Sequence, residues 1–241
     1  MPIDCGCATA TGDRPDNQDR CRVSPRWAII SDGAGGSAGG ALAAELTVRE
    51  VVSRLEASDR EIDEEVLTQA VMAANRAVRS RRAADAGVGA MAATLTMAVA
   101  TALGADESHW LVVNVGDSPA WLAASHGLVR VTEEHNVAAE LARSGAISPE
   151  AARMHPGRHA ITRAIGIADL VMVEPGPVTM HPGDQLVLAS DGLEVLSEVE
   201  MQEVLRGASS AGDAARRLVD AAVRNDAPDN VTVAVLHHPQ E

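Results

Sequence analysis

Apolar residues along this chain switch between a period of two and a period of three to four, and the switches mark the elements. Residues 3–11 read as a first strand, and the run Trp27-Ala28-Ile29-Ile30 as a buried one that stops abruptly at Ser31-Asp32-Gly33. Over residues 40–57 the spacing turns helical, with Leu42, Leu46, Val48, Val52 and Leu55. A second helix is expected from about 61 to 82, its buried face made by Ile62, Val66, Leu67, Ala70, Val71, Ala74 and Val78. Ser58-Asp59, with Glu61 following, would cap its start. Residues 83–89 read as a flexible connection.

Strands then follow in quick succession over residues 94–101, 110–115, 120–124 and 128–132, the last two joined by a Ser125-His126-Gly127 turn. Residues 133–165 break the pattern with a short helix over 137–144, a helix start at Ser148-Pro149-Glu150 and a loop at His155-Pro156-Gly157. Strands resume near Val171 and over 185–189. Helices of about 198–206 and 212–224 precede a closing strand, 231–236. Consecutive strands on short turns imply antiparallel sheets with helices segregated to their outer faces, an α+β chain. No repeat and no composition break divides it, so residues 1–241 read as a single domain.

Composition changes this picture in three ways. The sequence has no Phe, Tyr or Lys, so the core must be Ala, Val, Leu, Ile and Met around Trp27, Trp110 and Trp121. A formal net charge of -14 argues against a nucleic-acid binder working by phosphate neutralisation. It suits either plain solubility or aspartates compensated by metal. Cys5, Cys7 and Cys21 lack paired metal-site spacing and read as reduced thiols of a cytoplasmic protein. Residues 86–105 are uncharged and near bilayer length, but they are built of Ala, Gly and Thr and suit a sheet strand better than membrane insertion. No basic-then-apolar leader is expected.

The candidate chemistry lies at strand ends. In WAIISDGAGGSAGG, residues 27–40, a carboxylate backed by glycines can aim oxygens at a hard cation. The same turn could cradle a phosphate with its amides, or be an ordinary strand-to-helix loop. Four more acids share its grammar: Asp19 in RPDNQD, Asp117 after LVVNVG, Asp191 after LVLAS and Asp229 before VTVAVL. Any one of these is first of all a turn former. Together they would crowd negative charge at one sheet edge, which is costly unless a cation compensates it. Carboxylate, carbonyl and water ligands suit Mg²⁺ or Mn²⁺, and the lack of a spaced His/Cys set disfavours zinc. Two such ions bridged by an aspartate would activate a water and clamp a phosphoryl group. Arg14 offers a fork for that phosphate, although alone it would read as a surface arginine.

The series R-x-x-N-Q-D (14–19), S-D-G-x-G-G (31–36), V-G-D-S (115–118), A-S-D-G-L (189–193) and D-N-V-T (229–232) resembles the bacterial branch of the metal-dependent protein phosphatases of type 2C, the PPM family. Order and spacing agree over nearly the whole chain, down to ITRAIG (161–166) after the family's flap. The resemblance implies a four-layer α-β-β-α sandwich with two central antiparallel sheets and a flap-like subdomain at about 134–165. It implies hydrolysis of phosphoserine and phosphothreonine in proteins without a phosphoenzyme, opposing a Ser/Thr kinase or acting on its targets. By position, Asp32 would bridge two core Mn²⁺ or Mg²⁺ ions and Gly33 would lend its carbonyl. Asp191 and Asp229 would hold the first ion, and Asp19 would act mostly through waters. Asp117 and Asp191 would serve a third ion, and Arg14 would grip the substrate phosphate. Catalysis would rest on Asp32, Asp191 and Asp229.

Three departures stand out. Ala34 replaces the His that many eukaryotic members carry as a proposed general acid. Ala92-Ala93-Thr94 replaces Gly-Thr-Thr, and Pro119 replaces a common Arg. They motivate an alternative, a pseudophosphatase or regulatory binding protein on the same fold. A dinucleotide enzyme is a third reading, since residues 33–38 satisfy G-x-G-x-x-A, but an acidic residue ending a prompt second strand is missing. His135, His155 and His159 read as exposed loop histidines, with a role as substrate contacts or acids the sharper alternative.

Overall fold

The computed structural model describes residues 2–34, 38–58, 62–85, 87 and 89–240. One sheet runs β1 (Asp4–Ala10), β12 (Val231–His237), β11 (Gln185–Ala189), β8 (Ala120–Ala124) and β9 (Gly127–Arg130). The other runs β10 (Gly176–Met180), β7 (Ser108–Val115), β6 (Leu95–Leu103), β3 (Trp27–Ser31) and β2 (Arg20–Ser24). All pairs within both sheets are antiparallel. A short ladder joins β4 (Gly33–Ala34) to β5 (Ala92–Ala93).

Strand alternation builds the layers, because successive side chains leave opposite faces. In β12, Val231, Val233 and Val235 pack under α6 (Ala211–Arg224) and α5 (Glu198–Arg206), while Ala234 and Leu236 enter the space between the sheets. In β6, Leu95, Met97 and Val99 face α1 (Ala38–Glu56) and α2 (Glu64–Ala84), while Ala98 and Ala100 face inward. With Phe and Tyr absent, Trp110 is the bulkiest fully buried side chain, and its Nε1 donates to Ser108 Oγ at 2.9 Å. The result is the four-layer α-β-β-α sandwich that the resemblance implies.

Several local expectations change. Strand β2 was not expected, since RCRVS carries only Cys21 and Val23 inward between arginines. The strand expected near Val171 lies later, at β10. Val171 and Val173 instead pack beside the α1–α2 core, and Pro177 is tolerated because β10 is a sheet edge. Helix α2 starts at Glu64 and is capped by Asp63, which accepts from the Val66 N–H at 2.9 Å. Asp59 and Glu61 of the expected cap lie outside the described residues, as do Gly35, Gly36 and Ser37 of the glycine-rich turn. No helix among the described residues is long and apolar enough to cross a membrane.

Candidate metal centre and active site

Antiparallel order brings the five acids to one end of the sandwich. Strands β3, β7 and β11 end toward Asp32, Asp117 and Asp191, while β2 and β12 begin just after Asp19 and Asp229. The two sheets meet there: Ser190 Oγ, from beyond β11, donates to Asp19 Oδ2 at 2.7 Å.

Side-chain hydroxyls hold the backbone that carries Asp32. The Asp32 N–H donates to Thr94 Oγ1 at 2.9 Å, and the Thr94 N–H returns to the Asp32 carbonyl at 2.8 Å. Thr94 Oγ1 also lies 2.7 Å from Ser118 Oγ, so the residues after β3, β5 and β7 share one hydroxyl network. Gly33 has no room for a side chain, since a Cβ would meet the Gly40 carbonyl oxygen at 2.3 Å. Asp191 opens a 3₁₀ turn, Asp191–Val195.

The loop between β1 and β2 is pinned by Asn230. Its Oδ1 accepts from the Gln18 N–H at 2.8 Å, and its Nδ2 donates to the carbonyls of Thr11 at 2.8 Å and Asp16 at 3.0 Å. Gly12 sits at φ +59° with the Asp229 carbonyl pressed against it, a position that excludes a side chain. The loop therefore delivers Arg14 to Asp229, Nη2 to Oδ2 at 2.8 Å, with the arginine side chain 56 % exposed.

Burial and mutual repulsion raise the proton affinity of this edge. Asp32 is pushed well above the ordinary carboxylate range by burial, then by Asp19, Asp191, Asp117 and Asp229. Burial, then Asp191, lifts Asp117 to about 7. Burial, then Asp229 and Asp19, lifts Asp191 to about 6. Asp19 is raised by burial against hydrogen bonds from Ser190, Thr232 and Asp32. Two carboxylate oxygens, Asp19 Oδ1 and Asp191 Oδ1, are buried with no hydrogen-bond partner.

That donor set fits a hard divalent cation, which would satisfy the orphaned oxygens and compensate the charge. Among the described residues no three His, Cys, Asp or Glu side chains converge closely enough to hold an ion by themselves. A cation here would complete its shell with carbonyls and water, as Mg²⁺ commonly does.

The residues that sequence reasoning missed are Thr94, Ser118, Ser190 and Asn230, which orient the acids. Ser118, Ser190 and Asn230 are each adjacent in sequence to one of the five, the one signal that could have found them. His135 also departs from expectation: it is 6 % exposed, and its Nδ1 accepts from the Gly116 N–H at 3.2 Å. The stretch that follows it holds α3 (Val137–Arg143), α4 (Pro149–Arg153) and a 3₁₀ turn, Pro156–His159. Its end returns to the site through Ile165, which exchanges backbone hydrogen bonds with Ala93 at 3.1 and 2.8 Å. A dinucleotide site finds no support, because α1 and α2 follow β4 before the next described strand, β5.

The sequence profile of the protein phosphatase 2C family matches residues 11–227. The serine/threonine phosphatase stp of Listeria monocytogenes is 31 % identical over 216 residues, covering 86 % of this chain and 82 % of that protein. The crystal structure of the Mycobacterium tuberculosis serine/threonine phosphatase PstP/Ppp superposes with a TM-score of 0.84 at 28 % identity, covering 100 % of each chain. The catalytic domain of the phosphatase PstP, solved in complex with two manganese ions, gives 0.80 at 27 % identity, covering 98 % of this chain and 97 % of that one.

Proposed function

This chain belongs to the protein phosphatase 2C family and is a metal-dependent protein serine/threonine phosphatase, and from that premise we propose a two-ion centre at the acidic end of the sandwich. The single observation that carries this reading is the pair of buried, partnerless oxygens, Asp19 Oδ1 and Asp191 Oδ1, among five mutually repelling carboxylates. Asp32 would hold both ions, with the Gly33 carbonyl as a further ligand. Asp191 and Asp229 would hold the first ion, Asp19 would support the core through water, and Asp117 with Asp191 would offer a place for a third. Mn²⁺ or Mg²⁺ bound there would supply a nucleophilic water at neutral pH and neutralise charge on the phosphoryl oxygens.

The chain's own residues do the rest. Arg14, on a loop fixed by Asn230, reaches the mouth of the site and grips the phosphate of a phosphoserine or phosphothreonine protein. Thr94 and Ser118 hold the Asp32 backbone so that its carboxylate need not reorganise during turnover. Ala34 offers no proton, so the leaving alkoxide takes its proton from water. Residues 134–165 form the flap of this one-domain enzyme, and a flap suits a phosphatase that opposes a bacterial Ser/Thr kinase.

The deciding experiment is hydrolysis of p-nitrophenyl phosphate and of a phosphothreonine peptide with Mn²⁺, with Mg²⁺ and with EDTA, beside Asp191→Ala. Metal-dependent turnover abolished by the substitution is expected. Unchanged turnover in Asp191→Ala would remove that residue from the centre.

A further inference from the structure

The three cysteines play no part in hydrolysis, yet the fold collects them at one place. Strands β1 and β2 are the outermost strands of opposite sheets and share no ladder, but they approach within 8 Å between Cα atoms. On β1, Gly6 lies against the start of α6, where a Cβ would collide with Gly212, and Ala8 packs on the helix side as well. Cys5 and Cys7 therefore point the other way, into the space between the sheets. On β2, Cys21 and Val23 point into the same space from the other sheet. Across that space the neighbouring Cys21 lowers the proton affinity of Cys7, while Cys7 and burial raise that of Cys21. All three side chains keep partial contact with solvent.

We propose that Cys7 and Cys21 are a peroxide-oxidisable dithiol whose disulfide staples the two sheets together at the root of the loop carrying Arg14 and Asp19. Disulfides form between Cα atoms about 4.4–6.8 Å apart, and Cα atoms of these converging edges come within 8 Å of one another. Cys21 and then Arg22 favour the Cys7 thiolate against the cost of its burial, and the thiolate is the species that reacts. The Cys7 thiolate attacks one oxygen of hydrogen peroxide, the O–O bond breaks, and the departing hydroxide takes up the proton that Cys7 released. Cys7 is left as the sulfenic acid. Cys21 sulfur then attacks Cys7 sulfur, the S–S bond forms, and the sulfenic oxygen leaves with the Cys21 proton as water. In total two thiols lose two hydrogens and one peroxide becomes two waters.

The linkage closes a loop from residue 7 to residue 21 that contains Arg14, Asn17 and Asp19. Tying the two ends of a segment that otherwise joins separate sheets restricts the unfolded chain and holds the loop's root in the folded one.

The test is peptide mapping under non-reducing conditions after treating the full chain with a small excess of hydrogen peroxide, with unfolding midpoints before and after. The expected result is an intramolecular Cys7–Cys21 cross-link, a midpoint raised by several degrees, and reversal of both by dithiothreitol. Cys5→Ser should retain the cross-link, whereas Cys7→Ser and Cys21→Ser should each abolish it. A cross-link through Cys5, linkage between chains, or conversion of Cys7 to the sulfonic acid with Cys21 still reduced would overturn the proposal. So would three free thiols after peroxide at a concentration that oxidises glutathione in the same solution.

Discussion

Ser190 Oγ donates to Asp19 Oδ2 at 2.7 Å and accepts from the Thr232 N–H at 2.9 Å, so one buried hydroxyl joins an acid of one sheet to the backbone of the other. Ser190→Ala leaves the Thr232 N–H without a partner in a fully buried place. A buried unpaired group costs about 1–3 kcal/mol, and loss of an outer hydrogen bond to a metal ligand weakens metal binding about 10- to 100-fold. Urea unfolding in EDTA and Mn²⁺ titration calorimetry should show both losses. A variant with unchanged metal affinity would mean that Asp19 does not depend on Ser190 for its orientation.

Arg14 predicts a different pattern. Its pair with Asp229 is solvent-exposed, and exposed pairs contribute about 0–1 kcal/mol, so Arg14→Ala should unfold almost where the wild type does. If the guanidinium grips the phosphate, kcat/KM for a phosphothreonine peptide should fall about 10- to 100-fold, the worth of a charged hydrogen bond. Arg14→Lys, which keeps the charge and loses the fork, should fall between the two. Equal kcat/KM in all three proteins would show that Arg14 is a surface arginine after all.

What was legible in the sequence follows from which interactions are local. Asp32, Asp117 and Asp191 announce themselves because an apolar run stops just before each of them, and antiparallel order alone then carries those ends to one place. Thr94 and Ser118 do not announce themselves, because their role depends on a hydroxyl contact across 24 residues. His135 reads as exposed because its surroundings in sequence are polar. It is buried because its backbone and ring both pair with Gly116. Strand β2 was hidden by a five-residue length and arginines on its outward face. The side chains of Cys7 and Cys21 share one interior space only through the closure of two sheets, which no spacing rule encodes.

Asp117 offers a test of the edge electrostatics without metal. Its folded value of about 7, set by burial and then by Asp191, lies above the unfolded carboxylate near 3.9. The stability it contributes is fully present below about pH 3.9 and is lost as pH rises through about 7. Asp117→Asn removes that liability. In EDTA the variant should gain on the wild type between pH 5 and pH 8, by an amount on the order of 2 kcal/mol. Mn²⁺ should reverse the order at pH 8, because the wild type alone can release the proton and bind the ion there. Parallel stability profiles in EDTA would show Asp117 to be ionised throughout.

His135 should act in the opposite sense. Burial, then Arg163 and Arg143, lowers its imidazole to about 4, so the folded protein holds it neutral with Nδ1 accepting from Gly116. An unfolded histidine titrates near 6.5. The stability it contributes is therefore present above about pH 6.5 and is lost as pH falls through about 4. His135→Gln keeps an acceptor and lacks the titration. At pH 7 it should be less stable by about 1–2 kcal/mol, from a poorer hydrogen bond and poorer packing. By pH 4.5 the difference should shift by about 2 kcal/mol in the variant's favour, enough to close or reverse it, since two units of displaced pKa correspond to slightly more than that. The acidic edge titrates in both proteins alike and cancels from the difference. Urea unfolding at the two pH values measures it directly, and a gap that stays constant would mean that His135 takes up its proton in the folded protein as readily as in the unfolded one.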